Sequence, residues 1–154
     1  MEYDADRSEA RLAGAKTFEK TSRRMAVLDK AFEEATEIVE GCWVKDRFPD
    51  DFPALVVGLA DGMSRGDARD VLDELEDART GLFDTHPSFT DRLASVQRED
   101  ARGVCRLELP AADLFRDLPK LAEGASLDHY RGLFGGGIQP TLRPVREYLG
   151  RRSS

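Results

Sequence analysis

Histidine and cysteine are scarce in this chain of 154 residues, and each shortage removes a class of chemistry. Its two histidines, His86 and His129, are far apart, and neither stands in a His-Glu-x-x-His context. The chain by itself therefore lacks the imidazole pair on which a helix-borne metal site is built. The two cysteines, Cys42 and Cys105, form no Cys-x-x-Cys pair, which excludes a disulfide framework and a metal knuckle. Both are expected to be buried thiols. Long apolar runs are missing as well. The longest, residues 52 to 60, is under half of the about 20 residues that a membrane-spanning helix needs, so a soluble, cytoplasmic portion is expected. Basic charge is short too: the formal net charge is -7, and Arg23-Arg24 and Arg151-Arg152 are the basic clusters. Nucleic acid is excluded as a partner, because its binding rests on phosphate neutralisation by grouped Lys and Arg.

What remains is a chain with 40% hydrophobic and 34% charged residues, enough regularly spaced Leu, Val, Phe and Ala to fold rather than stay disordered. One helical domain over residues 1–154 is expected, with helices through residue 100 and a C-terminal extension, 101–154, packed on them. The fold class is all-α, a multi-helix bundle with one long amphipathic helix and a loop-rich C-terminal part.

A first helix is expected over residues 1–13, stopped by Gly14. Tyr3, Ala10 and Ala13 face its core side, and Glu2, Asp6 and Glu9 form an acidic face. Phe18, Met25, Leu28, Phe32, Ala35, Val39, Cys42 and Trp43 recur at largely helical spacing and predict a long helix over 17–46, ended by Phe48-Pro49. Acids ahead of Pro53 predict a short helix to about Gly62. Ser64, with Asp67 three positions on, predicts the capped start of a helix over 65–79. Pro87 fits a first helical turn, with Phe89, Leu93 and Val96 on one face of the helix that follows. Residues 104–109 read as an extended arm packed on the helices. Beyond it come helical turns over 110–121 interrupted by Pro119, a helix capped by Ser126 and running to 134, a flexible Gly135-Gly136-Gly137 break, and a last helix over 141–149.

Two strings carry chemistry. Glu2-x-x-Ala5-Asp6 places two carboxylates one turn apart on one helix face. Thr85-His86-Pro87 followed by Asp91-Arg92-Leu93 places an imidazole at a helix N-terminus, where the helix dipole favours its neutral form. Its simplest duty there is to bond backbone and fix the turn. Arg92 is expected to pair with a carboxylate, Asp6 or Asp91, and to hold its helix against the first one. His129 reads as a packing or surface residue.

In this order the two motifs resemble the third-ligand region of the HtpX-like and CAAX-prenyl-endopeptidase-type zinc metallopeptidases. Leu114-Phe115-Arg116-Asp117 and Leu127-Asp128-His129-Tyr130-Arg131 are loosely similar to the tail of bacterial members. The resemblance implies that Glu2 is the third zinc ligand of the complete site. It implies that Asp6 accepts a hydrogen bond from an imidazole of an upstream His-Glu-x-x-His helix, and that His86 lines the cleft. Zinc belongs to the complete family site, and none is expected in this chain alone. The implied activity is peptide-bond hydrolysis in a protein whose remainder can be membrane-anchored, acting on a peptide or protein substrate. The implied partners are the missing upstream catalytic helices or another copy of the chain. The alternative is a non-catalytic acidic helical protein-interaction module that binds along the Phe18-to-Trp43 stripe.

Overall fold

The computed structural model describes residues 2–78, 87–105 and 109–150. The protein is all-α. Its helices are α1 (Glu2–Ala13), α2 (Ala15–Cys42), α3 (Phe52–Asp61), α4 (Arg65–Asp77), α5 (Phe89–Arg98), α6 (Leu118–Phe134) and α7 (Arg146–Leu149). Single 3-10 turns span Trp43–Lys45 and Ala111–Leu114. Two dipeptides, β1 (Phe48–Pro49) and β2 (Leu142–Arg143), pair in parallel, with Phe48 opposite Leu142. The chain divides into two compact units, Met1–Val27 with Ser64–Glu108, and Leu28–Met63 with Leu109–Ser154. Among the described residues no helix is long and apolar enough to cross a membrane.

The first unit is built where α1 meets α5. Ala10, Phe18 and Val96 form its buried cluster, with Ala15, Leu93 and Ala101 packed against it. The joint between α1 and α2 is a single residue, Gly14, with φ of 98°, a conformation glycine adopts without steric cost. A strap over residues 101–105 holds this joint. Ala15 N–H donates to the Ala101 carbonyl, and the Val104 and Cys105 amides both donate to the Leu12 carbonyl. Gly103 passes so close that a β-carbon built there would stand 2.5 Å from the Ala13 carbonyl carbon. The expected extended arm thus starts as a backbone clip on α1. Cys105 corrects the expectation of a buried thiol, because it is exposed.

The second unit is built on α3, whose Phe52, Leu55, Val56, Leu59 and Ala60 are buried at the i, i+3, i+4, i+7, i+8 spacing of one helical face. Gly58 lets α7 close on it, since a β-carbon there would meet the Leu149 side chain at 2.6 Å. Ala31, Ala35 and Val39 of α2 are fully buried, whereas Phe32 and Trp43, expected on the same stripe, are about half exposed. Phe32 still meets Phe52 edge-on, and Trp43 stacks on Phe134.

Several boundaries differ from the sequence reading, each for a local reason. The long helix ends at Cys42 and continues as the 3-10 turn Trp43–Lys45, which Asp46 closes in the left-handed conformation at φ of 46°, its carboxylate accepting from the Thr141 amide and hydroxyl. Pro119 does not interrupt a helix. It lies in the first turn of α6, where its missing N–H costs nothing, and Asp117 caps that turn by accepting from Lys120 N–H. Ser126 is therefore interior to α6 and caps no start of it. The expected last helix starts late: Leu142–Arg143 are extended and held by β1, and Val145, already helical, caps α7 with its N–H donating to the Asp50 carboxylate. α5 starts later than expected, at Phe89, so that Pro87 falls outside its first turn. Ser88 is its N-cap and Pro87 precedes the cap.

Candidate functional site

The charged residues picked out by sequence converge where α1 packs on α5. Asp6 shares a face with Tyr3, Ala10 and Ala13 rather than with a solvated acidic surface, and its side chain is only 4% exposed. Arg92 reaches it from α5 as a fork: Nε donates to Oδ2 at 2.8 Å and Nη2 to Oδ1 at 2.7 Å. This bidentate form is the strong, directional version of the guanidinium–carboxylate pair. The Arg92 guanidinium also lies 5.9 Å from the centre of the Phe18 ring. Its hydrogen bond to Asp6 raises the Arg92 pKa above the ordinary value, against partial burial, and the charges of Asp6, Glu2 and Glu9 add to the rise. The guanidinium thus stays charged at any working pH. Of the two carboxylates expected for Arg92 the structure selects Asp6. Asp91 instead accepts from the Ser88 hydroxyl and donates its N–H to that oxygen, at the N-cap of its own helix.

Glu2 stands one turn before Asp6 on the same face and is half-buried. His86 and Thr85 lie outside the described residues, so the expected turn is represented there by Pro87 alone. Among the described residues no group of three His, Cys, Asp or Glu side chains is placed to hold a metal ion. A zinc site needs three protein ligands.

Sequence reasoning missed a second tie between the same helices. Glu99, just past the end of α5, accepts from Arg11 Nε at 3.1 Å and Nη2 at 2.8 Å, with Arg7 Nη1 at 3.9 Å. The signal was available, since Arg7 and Arg11 are four apart on one helix face, but nothing local names Glu99 as their partner. α5 is tied in turn to α4. The Thr90 hydroxyl donates to the Glu76 carbonyl, and Arg23 of α2 pairs with both Glu76 and Glu19.

His129 lies in the second unit, its ring 4.2 Å from the centre of Phe52 and 5.6 Å from that of Phe32. Its Nε2 is buried without a hydrogen-bond partner, and burial lowers its pKa below 6.5. This is a packing environment, with the Tyr130 ring 6.1 Å away. No protein-family model matches the chain, and neither a curated protein nor a solved structure matches it.

Proposed function

We propose that this chain is the C-terminal, cleft-completing part of an HtpX-like zinc metalloendopeptidase, with α1 as the helix that presents the third zinc ligand, Glu2. The observation that carries the reading is the Arg92–Asp6 fork. It joins the helix bearing Glu2-x-x-Ala5-Asp6 to the helix that follows Thr85-His86-Pro87, although the paired residues are 86 positions apart. Two motifs that serve one cleft need such a link, and a pair of unrelated acidic and basic helices does not.

The described residues make no zinc site, and the reading assigns the imidazole ligands to a His-Glu-x-x-His helix of the complete protein. What the chain supplies is placement. Arg92 grips both oxygens of Asp6 and sets the rotation of α1 about its axis. The second tie, through Glu99, sets its tilt, and Glu2 then projects in a defined direction from the same face. Each Asp6 oxygen keeps a second lone pair, which is the acceptor capacity left for an imidazole N–H. Of the stripe on which the interaction-module alternative rests, Phe18, Ala35 and Val39 are covered by the chain itself, while Met25, Phe32 and Trp43 are about half exposed.

The test is the reading frame upstream of the Met1 codon, with zinc binding by its full product. An in-frame His-Glu-x-x-His helix, stoichiometric zinc, and loss of that zinc in Glu2→Gln are expected. A frame without the motif, or zinc retention indifferent to Glu2→Gln, overturns the reading.

A further inference from the structure

The outward face of α6 carries charges of opposite sign at equal distances on either side of Gly124, Asp117 against Arg131 and Lys120 against Asp128. α6 buries Ala122, Ser126 and Tyr130, while Lys120, Leu121, Gly124 and Asp128 line an open groove on another side. Asp117, Leu121, Gly124, Asp128 and Arg131 follow one another at alternating steps of four and three, the spacing of a single helical seam. Two copies of one helix crossing antiparallel about a twofold axis set positions equidistant from that axis against each other. With the axis at Gly124, Lys120 falls opposite Asp128 of the second copy, Asp117 opposite Arg131, and Leu121 opposite Leu127. Every charged position on the seam then meets its opposite sign, which an arbitrary solvated face does not arrange.

Gly124 supports the same axis. Glycine in a helix interior is unfavourable, and here a β-carbon would meet nothing within 4 Å, so packing inside the protomer does not call for it. Close approach of two helix backbones does. Leu121 is 53% exposed and Leu118 40% exposed, giving the seam an apolar flank, and Asp128 keeps 78% of its side chain in solvent beside Arg131.

We propose that α6 is a self-association face, on which two copies of the chain pair antiparallel with the twofold axis at Gly124 and Lys120 of each copy on Asp128 of the other. The proposal is independent of the metallopeptidase reading. Sedimentation equilibrium of the full chain tests it. A concentration-dependent dimer that weakens with added salt is expected. Lys120→Asp and Asp128→Lys, each alone, place like charges across both symmetry-related contacts and raise the dimer Kd about tenfold. Mixing the two single variants restores opposite signs at both contacts and yields a heterodimer at the wild-type affinity, and the double variant K120D/D128K recovers the homodimer. These two arms separate pairing from any folding defect. A monomer at high micromolar concentration, a dimer indifferent to both reversals, or single variants that stay monomeric when mixed would each overturn the proposal.

Discussion

Replacing Ser126 by alanine removes one hydroxyl and should unfasten the start of a helix 74 residues away in sequence. The N-terminal turn of α3 has a nearly closed hydrogen-bond account. Leu55 N–H donates to the Asp51 carbonyl, Ala54 N–H donates to the Asp51 carboxylate at 2.8 Å, and Pro53 has no N–H to satisfy. That leaves Phe52 N–H, which donates to Ser126 Oγ at 2.7 Å in a buried site. The same hydroxyl donates to the Ala122 carbonyl at 2.7 Å, a bond whose loss matters little, because a helix carbonyl at that position also accepts from the amide four residues on. The cost of Ser126→Ala is therefore the stranding of one buried amide, about 1–3 kcal/mol. Alanine's better helix propensity returns about 0.5 kcal/mol. A net loss of about 0.5–2.5 kcal/mol is expected. Urea unfolding followed by Trp43 fluorescence reads it, since Trp43 stacks on Phe134 at the end of α6. The midpoint should fall with the slope unchanged. A loss below about 0.5 kcal/mol, the size of an ordinary surface substitution, would show that Phe52 N–H finds another acceptor and would refute this account of the α3 start.

Two further outcomes follow from the charged and titratable groups. Arg92→Met leaves a 4%-exposed carboxylate unpaired and should destabilise by about 3 kcal/mol, whereas Asp6→Asn leaves a half-exposed guanidinium and should cost less; the double variant D6L/R92M should recover most of the loss in urea titrations, and equal costs for the two single variants would contradict the burial asymmetry. His129 has its pKa lowered by burial, so the unfolded chain takes up the proton first. Its contribution to stability is whole above about pH 6.5, the unfolded value, and is lost as pH falls from there through the lower folded value. Comparing midpoints of wild type and His129→Phe at pH 7 and pH 5 isolates it, and identical pH dependence in both would sink the assignment.

The helices were legible because their signals are local. Ser64 with Asp67, Gly14 after Ala13, and the apolar spacing of α3 each need only a few neighbouring residues to be read. The Asp6–Arg92 pair was half legible, since an acidic face and an isolated arginine suggest each other without stating which carboxylate is meant. The features that escaped are those fixed across long separations. Leu142 and Arg143 look like the start of a helix until Phe48 and Pro49 arrive beside them. Ser126 looks like a cap, and is one, but for a helix packed across from its own. Tyr130 gives no hint in sequence that its hydroxyl donates to the Pro49 carbonyl and so fastens β1 to α6. Phe32 and Trp43 had the right period for burial, and the partners that cover half of each, Phe52 and Phe134, were not visible from period alone.

The Asp6–Arg92 pair contributes more to the orientation of α1 than to stability. A buried ion pair loses much of its Coulombic gain to desolvation, and a well-packed apolar substitute is often as stable or more so. Apolar packing is already present at this place, because Ala10, Phe18 and Val96 meet between the same elements. Such packing resists separation of the helices but tolerates small rotations, since methyl groups and rings have no preferred bearing. A two-pronged guanidinium–carboxylate bond does have one. Together with the Arg11–Glu99 tie at the other end of α5 and the backbone clip from Val104 and Cys105 to Leu12, it fixes α1 in rotation and in position along its axis. The fork thus sets the bearing of α1, and the tie and the clip set its position, which apolar contact alone leaves free.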